Sequence, residues 1–351
     1  MQKKVLITGG SGLLAVNWAL SIRNNYVVTI LLHHKRISIP GVDTDLVSLS
    51  SLDECSAVLE KHQPDIVIHT AGLTSVEKCE SNNDLAKELN VDLVRNLSIA
   101  CSEQGIKLVH ISTDHLFSGE QELATEITDT NPLNNYANTK LKAEQQVLEK
   151  CKDALIIRTN FFGWGTKYRQ SFSDLILNNL RNNKSINLFS DVYFTPILIA
   201  ELSKKTHQLV DSNFSGIFNV VGNERLSKYE FGVKLAHFFN LDVNLIKVAR
   251  IIDSQHLVKR PKDMSLSNTK LCSSLNCKVA SLDEQLQTFK KQEKSSPISQ
   301  VILDVIPYGK HYIDEDDISS VVEVLRYGTV SYTHLRAHET PEHLVCRLLL
   351  E

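Results

Sequence analysis

The first 160 residues alternate short apolar runs with helical patterns. The runs have the length and β-branched content of strands, and in the stretches between them apolar positions recur with helical spacing. Continuous apolar strands that alternate with helices predict a parallel sheet covered on both faces, which is a doubly wound α/β fold of the Rossmann type. The predicted strands are Val5–Ile7, Val27–Leu32, Asp65–His69, Leu108–Ser112 and Ala154–Arg158, and the predicted helices are Leu13–Arg23, Cys55–Lys61, Asp84–Gln104 and Tyr136–Lys150.

The pattern becomes less regular in the second half of the chain. Ser171–Arg181 and Ser227–Phe239 are predicted helices, and the second begins with the Ser-x-x-Glu spacing of a capping box. Gly216–Val221 is a predicted strand. We therefore expect a dinucleotide-binding domain over residues 1–160 and a smaller substrate-binding lobe over residues 161–291 that is interleaved with it.

Three further patterns follow the lobe. Residues 292–304 are polar with one proline, which predicts a linker. Residues 305–328 resemble the start of a pyridoxal-phosphate-dependent nucleotide-sugar aminotransferase, which implies a functional link to such an enzyme; an ordinary C-terminal helix is the alternative. Residues 329–351 resemble a translated sequencing adapter and are predicted not to be native. We therefore expect truncation after Ser295 to leave stability unchanged.

Composition and charge exclude several classes of protein. Hydrophobic residues make up 42% and charged residues 23%, and the net charge of −3 with dispersed lysines and arginines does not indicate nucleic-acid binding. No apolar run reaches the roughly eighteen residues of a membrane span. The seven cysteines are dispersed, which predicts reduced thiols in a cytoplasmic protein. No metal site is predicted, and dependence on Mg²⁺ stays open.

A glycine-rich turn joins the first predicted strand to the first predicted helix. Glycines there let the backbone approach a pyrophosphate, which then lies on the N-terminus of the helix. A tight strand-to-helix turn also favours glycine, but the flanking strand and helix favour a dinucleotide site. The expected cofactor contacts in this turn are Gly9, Gly10, Ser11, Gly12, Leu13 and Leu14.

The second predicted strand ends in a basic segment. An NAD-selective site usually places an acidic residue at this strand end to bind the ribose 2′-hydroxyl, whereas the first acid here is Asp43. His34, Lys35 and Arg36 are instead expected to bind a 2′-phosphate, which predicts NADPH as the cofactor and leaves NADH as the alternative. A solvated basic loop is the other interpretation.

Tyr136 and Lys140 are four residues apart on a predicted helix, so they share one face. The pKa of a free tyrosine, about 10, is too high for acid catalysis near neutral pH, and a neighbouring ammonium lowers it. We therefore expect Lys140 to lower the pKa of Tyr136 and to bind the nicotinamide ribose. Thr113 follows a central strand, where its hydroxyl would bind a substrate carbonyl; a simple turn residue is the alternative.

Four segments in order resemble the extended short-chain dehydrogenase/reductase family, in particular its dTDP-4-dehydrorhamnose reductase group. They are residues 69–80, 112–119, 132–140 and 216–222, and the resemblance covers about residues 3–290.

The resemblance implies roles for individual residues. Tyr136 would donate a proton, Lys140 would lower the pKa of Tyr136, and Thr113 would orient the ketone. His115 stands where the family usually has tyrosine, which leaves the exact sugar open. The implied cofactor contacts are Thr70, Ala71, Gly72, Asn90 and Lys140, and the implied substrate contacts are Thr74, Asp114, His115, Asn160 and Arg260.

The activity that the resemblance implies is NADPH-dependent reduction of the 4-keto group of a nucleotide-linked 6-deoxyhexose, in polysaccharide or deoxysugar biosynthesis. Two alternatives stay open. One is a nucleotide-sugar epimerase or dehydratase; a dehydratase needs an acid/base pair beside Thr113, and His115 is not an acid. The other is a non-catalytic NADP-binding regulatory subunit. Neither a monomer nor a homodimer is excluded.

Overall fold

The computed structural model describes residues 2–253, 257–295 and 297–303. All of these described residues belong to one compact unit. The predictions for residues 305–328 and 329–351 fall outside the described residues. No helix in the described ranges combines the length and apolar character needed to cross a membrane.

The described part of the chain alternates strands and helices from its start. The strands are β1 (Lys4–Thr8), β2 (Val27–Leu32), β3 (Ile37–Ser38), β4 (Asp43–Leu46), β5 (Ile66–His69), β6 (Lys107–Ile111), β7 (Leu155–Arg158), β8 (Phe161–Phe162), β9 (Ile186–Phe189), β10 (Tyr193–Phe194), β11 (Ile197–Leu198), β12 (Gly216–Asn219), β13 (Leu226–Ser227), β14 (Ile246–Ala249) and β15 (Ile302–Leu303). The α-helices are α1 (Leu13–Ile22), α2 (Leu52–His62), α3 (Val76–Ser81), α4 (Asn83–Lys87), α5 (Leu93–Glu103), α6 (Asn135–Lys150), α7 (Phe172–Arg181), α8 (Ile199–Asp211), α9 (Lys228–Phe239), α10 (Thr269–Ser274) and α11 (Leu282–Ser295).

The central sheet has seven parallel strands in the order β12-β7-β6-β5-β1-β2-β4, which confirms the predicted Rossmann-type fold. The chain runs from β1 through β2 to β4 on one side, and then returns to β5 on the other side of β1. The strand order therefore reverses between β1 and β5. In open α/β sheets, ligands bind outside the carboxyl ends of the strands at such a switch point.

Helices cover both faces of this sheet. On one face α1 packs against α8, with Trp18 and Leu202 fully buried. On the other face α2, α5 and α6 bury Leu59, Leu97 and Val147. A third apolar cluster, rich in phenylalanine, joins α7, α9 and α11 in the second half of the chain. The chain returns from that smaller lobe to the main sheet through β12.

The edge strand β4 has no apolar signal in the sequence. Its residues are Asp-Thr-Asp-Leu, and it is mostly exposed. It pairs only with β2 in the central sheet, so it needs no continuous apolar run. For this reason a prediction from hydrophobic pattern misses it.

The prediction of a linker over residues 292–304 needs correction. Helix α11 continues through Ser295, and β15 pairs in antiparallel orientation with β3. Val301 is only 8% exposed and belongs to the same apolar cluster as α1, against which Ile298 also packs. The polar residues of this segment include the end of an amphipathic helix, and the apolar residues that follow are packed on the sheet domain.

This packing reverses the expectation for a shortened chain. Truncation after Ser295 removes the burial of Val301, worth about 1.5–3 kcal/mol for a fully buried side chain, together with the β15–β3 pair. We expect the melting temperature to fall by about 2–6 °C. Truncation after Leu303 keeps all these contacts and is the control for differential scanning calorimetry. Equal melting temperatures for the two truncations would contradict the packing described here.

Candidate active site

A cavity of about 530 Å³ lies outside the carboxyl ends of β1, β5 and β6, at the switch point of the sheet. The structure brings most of the sequence-predicted site residues to its wall. These are Gly9, Ser11, Gly12, Leu13, Leu14, Thr70, Ala71, Gly72, Thr74, Asn90, Thr113, Asp114, His115, Tyr136, Lys140 and Asn160. The predicted residues that do not line it are Gly10, His34, Lys35, Arg36 and Arg260.

Two glycines allow the turn after β1 to pack closely. Gly9 has a φ of +68°, and a Cβ on it would lie 2.9 Å from the Cα of Ala71, so a side chain there would collide with the segment after β5. Gly10 instead faces β2, where its N–H donates to the carbonyl of Leu31 at 2.8 Å. Gly9 thus shapes the cavity, and Gly10 supports the turn from behind.

The first turn of α1 opens onto this cavity. Gly12 caps the helix with an extended backbone, without a side-chain capping bond and without an acidic residue in the first turn. Its first N–H groups therefore have no side-chain acceptor, and the helix dipole adds positive potential. Together with the glycine turn, this donor set fits the diphosphate of a dinucleotide.

The basic segment after β2 is exposed but connects to the turn. The Nζ atom of Lys35 lies 4.1 Å from the ring centroid of Tyr168, and the Tyr168 hydroxyl donates to the carbonyl of Ser11 at 3.1 Å. Tyr168 therefore links Lys35 to the edge of the glycine turn. His34 and Arg36 are exposed beside it.

Asn90 lies in a π-helical turn, Glu88–Asp92, between α4 and α5. Its Oδ1 atom accepts from the N–H of Leu73 at 2.7 Å, and its Nδ2 atom donates to the Leu73 carbonyl and to Thr139 Oγ1, both at 3.0 Å. The side chain thus ties the segment after β5 to α6. π-Helical turns are frequent at functional sites because they redirect a side chain.

Helix α6 presents Tyr136 and Lys140 to the cavity. It is capped by Asn134, whose side chain accepts from the N–H of Ala137 at 2.9 Å. Burial raises the pKa of Tyr136 to about 12, although hydrogen bonding with Thr113 opposes this shift. Tyr136 therefore carries its proton at neutral pH, and its phenol is a weaker acid than a free tyrosine.

The expectation that Lys140 lowers the pKa of Tyr136 is not met in this structure. The Nζ atom of Lys140 donates to the carbonyl of Ile111 at 2.8 Å and lies 3.3 Å from Nε2 of His110. Its ammonium is thus held by the end of β6, while burial dominates the pKa of the phenol. Burial also lowers the pKa of Lys140 to about 8.

A buried polar row beneath the cavity was missed by sequence reasoning. Thr8, His69 and His110 are direct neighbours across β1, β5 and β6. Thr8 Oγ1 lies 2.8 Å from His69 Nδ1, and the two imidazoles stack at 5.5 Å. Burial lowers the pKa of His69 to about 3 and that of His110 well below its usual value, so both are neutral. A neutral His110 can accept a hydrogen bond from Lys140.

Asp114, His115 and Asn160 form the other side of the cavity. Asn160 Nδ2 donates to Asp114 Oδ2 in a short hydrogen bond. His115 Nε2 lies 3.9 Å from Asp114 Oδ1, and its ring meets that of Tyr136 edge-on at 5.7 Å. These three side chains therefore lie together in the wall of the cavity, on the side where His115 contacts Tyr136.

Arg260 does not line the cavity as its predicted role requires. Its guanidinium pairs with Glu77 instead. Sequence reasoning also missed part of the cavity wall. It is formed by the segment that leads into the start of α7, which contributes Arg169, Gln170, Ser171 and Phe172. That segment lies in the less regular half of the chain and has no motif that could have indicated it. Across the described residues, no group of three or more His, Cys, Asp or Glu side chains is placed to hold a metal ion.

The switch-point cavity, the glycine turn and the Tyr-x-x-x-Lys helix together define a member of the extended short-chain dehydrogenase/reductase family. Within it, the chain belongs to the RmlD substrate binding domain family, whose model matches residues 3–295.

Named relatives carry different descriptions. A probable low-salt glycan biosynthesis reductase, Agl14, of Haloferax volcanii is 27% identical over 80% of this chain and 95% of its own length. The β subunit of methionine adenosyltransferase 2 of Rattus norvegicus is 29% identical over 77% of this chain and 82% of its own. The crystal structure of the dTDP-4-dehydrorhamnose reductase of Bacillus anthracis in complex with NADP superposes with a TM-score of 0.74 and 25% identity, and covers 83% of this chain and 100% of that one.

Proposed function

We propose that the protein uses NADPH to reduce the 4-keto group of a nucleotide-linked 6-deoxyhexose. One observation carries the proposal: the proton donor Tyr136, the hydroxyl of Thr113 and Lys140 line the same cavity as the glycine turn. Family membership supports it, as does the likeness to a dTDP-4-dehydrorhamnose reductase that binds NADP.

Different residues of this chain would bind the cofactor, bind the ketone and supply the proton in such a reduction. Bound NADPH would supply a hydride to the carbonyl carbon. The glycine turn and the first turn of α1 would hold the diphosphate of the cofactor. Thr113 would donate a hydrogen bond to the ketone oxygen, and Tyr136 would transfer its phenolic proton to that oxygen as charge develops there. Lys140 would bind the nicotinamide ribose from its position at the end of β6.

The sugar would lie among Thr74, Asp114, His115 and Asn160. Asp114 accepts a hydrogen bond from Asn160 and offers acceptor capacity for sugar hydroxyls. His115, neutral because burial lowers its pKa, offers an Nδ1 atom that has no partner among the described residues. These groups would orient the sugar ring without acting as acids.

The test of the function is a panel of nucleotide-linked 4-keto sugars incubated with the purified protein and NADPH. The expected result is loss of the absorbance of reduced nicotinamide with at least one dTDP-linked member, and a product of the mass of the reduced sugar. Absence of turnover with every member would contradict the proposal.

The cofactor preference depends on the basic segment after β2. Replacing Lys35 and Arg36 together with alanine should weaken NADPH binding about tenfold or more and leave NADH binding nearly unchanged, because only NADPH has a 2′-phosphate. Dissociation constants from fluorescence titration measure this change. The matched control replaces Lys61, an exposed lysine outside the cavity that pairs with Asp45. Equal affinity of the unmodified protein for both cofactors would contradict the assignment.

A second candidate function is a regulatory subunit that binds NADP without catalysis. The observation that favours it is the set of relatives described as β subunits of methionine adenosyltransferase 2. The reduction assay separates the two candidates, since a regulatory subunit would bind NADPH without consuming it with any keto sugar.

A further inference from the structure

Lys228 places a cation beside the cavity that none of the roles above uses. It is the first residue of α9, and its Nζ atom lies 3.3 Å from the ring centroid of Phe194 and 5.1 Å from that of Phe172. Phe172 lines the cavity. Within the described residues, Nζ has no hydrogen-bonding acceptor and no ion-pair partner. The ammonium therefore makes cation–π contacts but is not paired with an anion among the described residues.

This arrangement is unfavourable for an isolated protein. Burial lowers the pKa of Lys228 to about 8, with Asp114 opposing the shift and Arg260 adding to it. The side chain is only half-buried, so water screens part of its charge. Without a paired anion among the described residues, it nevertheless stands in the first turn of a helix, where a cation opposes the helix dipole. A cation in that position beside a cleft, with a shifted pKa, is typical of a ligand-binding group.

A second lysine shows the contrast. Lys290 also lies over phenylalanine rings, those of Phe238 and Phe239, at 5.8 Å and 5.4 Å. Its Nζ atom, however, donates to the carbonyl of Phe238 at 2.7 Å. Lys290 is thus satisfied by the protein. Neither lysine lines the cavity itself, but Lys228 contacts Phe172, which does. A lysine that lies over aromatic rings can therefore also have a hydrogen-bond acceptor in this fold, and Lys228 differs from Lys290 in having none among the described residues.

The position of Lys228 indicates which part of a ligand it would meet. Its charge acts on Asp114 and on the imidazole of His115, and the His115 ring contacts Tyr136. The cation therefore lies near Asp114 and His115, the side chains among which the sugar would lie. In a nucleotide sugar the diphosphate is bonded to the same ring that carries the ketone. We propose that Lys228 binds the diphosphate of the nucleotide-sugar substrate; the choice of ligand rests on the proposed function.

Binding of substrate fragments tests this role without turnover. Wild-type protein and a Lys228→Met variant, which keeps most of the apolar stem, are titrated by calorimetry with dTDP, inorganic pyrophosphate and thymidine. Saturating NADP⁺ is present to occupy the cofactor site. The expected result for the variant is about tenfold or weaker binding of dTDP and pyrophosphate, because a charge-assisted hydrogen bond is lost, and unchanged binding of thymidine. Lys290→Met is the matched control and should bind all three like the wild type.

Thermal melting and kinetics separate binding from a structural role. Without ligand, Lys228→Met should melt no lower than the wild type, because no paired anion loses its partner. In turnover, its KM should rise about tenfold while kcat changes less than twofold. Unchanged affinity for dTDP would overturn the proposal, and a lowered melting temperature with unchanged affinity would assign Lys228 to packing. Lys228-dependent binding of dTDP without any ketone reduction would retain this inference and reject the proposed function.

Discussion

Replacing Tyr136 with phenylalanine is expected to lower the turnover of NADPH with a 4-keto sugar by about 10²–10⁴-fold, the usual contribution of general acid catalysis. The substitution removes the phenolic proton and keeps the ring that contacts His115. Steady-state kinetics measure the loss. The dissociation constant for NADPH should stay within about twofold, since the proposed cofactor contacts lie mainly in the turn after β1 and the segment after β5.

Tyr26→Phe is the matched control, because Tyr26 lies beside His207 and does not line the cavity. It should retain full turnover. Substantial activity in Tyr136→Phe would require another proton donor, and the mechanism derived from this cavity would then be wrong.

Replacing Glu144 with alanine is expected to destabilise the fold by about 3–5 kcal/mol, the usual cost of leaving a buried charge without its partner. The carboxylate of Glu144 accepts from Arg158 Nε at 3.0 Å and Nη2 at 2.7 Å, and from Ser112 Oγ at 2.5 Å. Both charged side chains are less than 5% exposed. The substitution would leave the guanidinium of Arg158 buried between β7 and α6 without a paired carboxylate. Urea unfolding measures the resulting loss of stability.

The double variant Glu144→Met, Arg158→Met removes both charges and fills the space with apolar groups. It should recover part of the lost stability, because no buried charge is then left unpaired. A loss below about 1 kcal/mol in Glu144→Ala would show that water reaches Arg158 and that the pair is not buried in solution.

Much of the site could be predicted because its residues follow strands. Thr70, Thr113 and the glycine turn come directly after apolar runs, and parallel strands bring such positions to one edge of a sheet. Tyr136 and Lys140 share a helical face by their spacing alone.

What escaped prediction depends on tertiary contacts. The approach of Arg169 to Thr74 joins an irregular loop to a distant segment, and no local pattern encodes it. The raised pKa of Tyr136 results from its burial, which the spacing of two residues does not reveal. Val301 directly precedes β15, which pairs with β3. Because β3 is a strand of two residues with no periodic signal, the sequence does not predict this packing.

Isotope transfer tests the proposed hydride transfer most directly. The protein is incubated with a dTDP-linked 4-keto-6-deoxyhexose and NADPH that carries deuterium at the transferable position. We expect a reduced sugar with a single deuterium on carbon 4, formed in equal amount to the NADPH consumed, and almost no product from Tyr136→Phe. Recovery of an isomerised or dehydrated sugar without deuterium, or binding of NADPH without consumption, would contradict it.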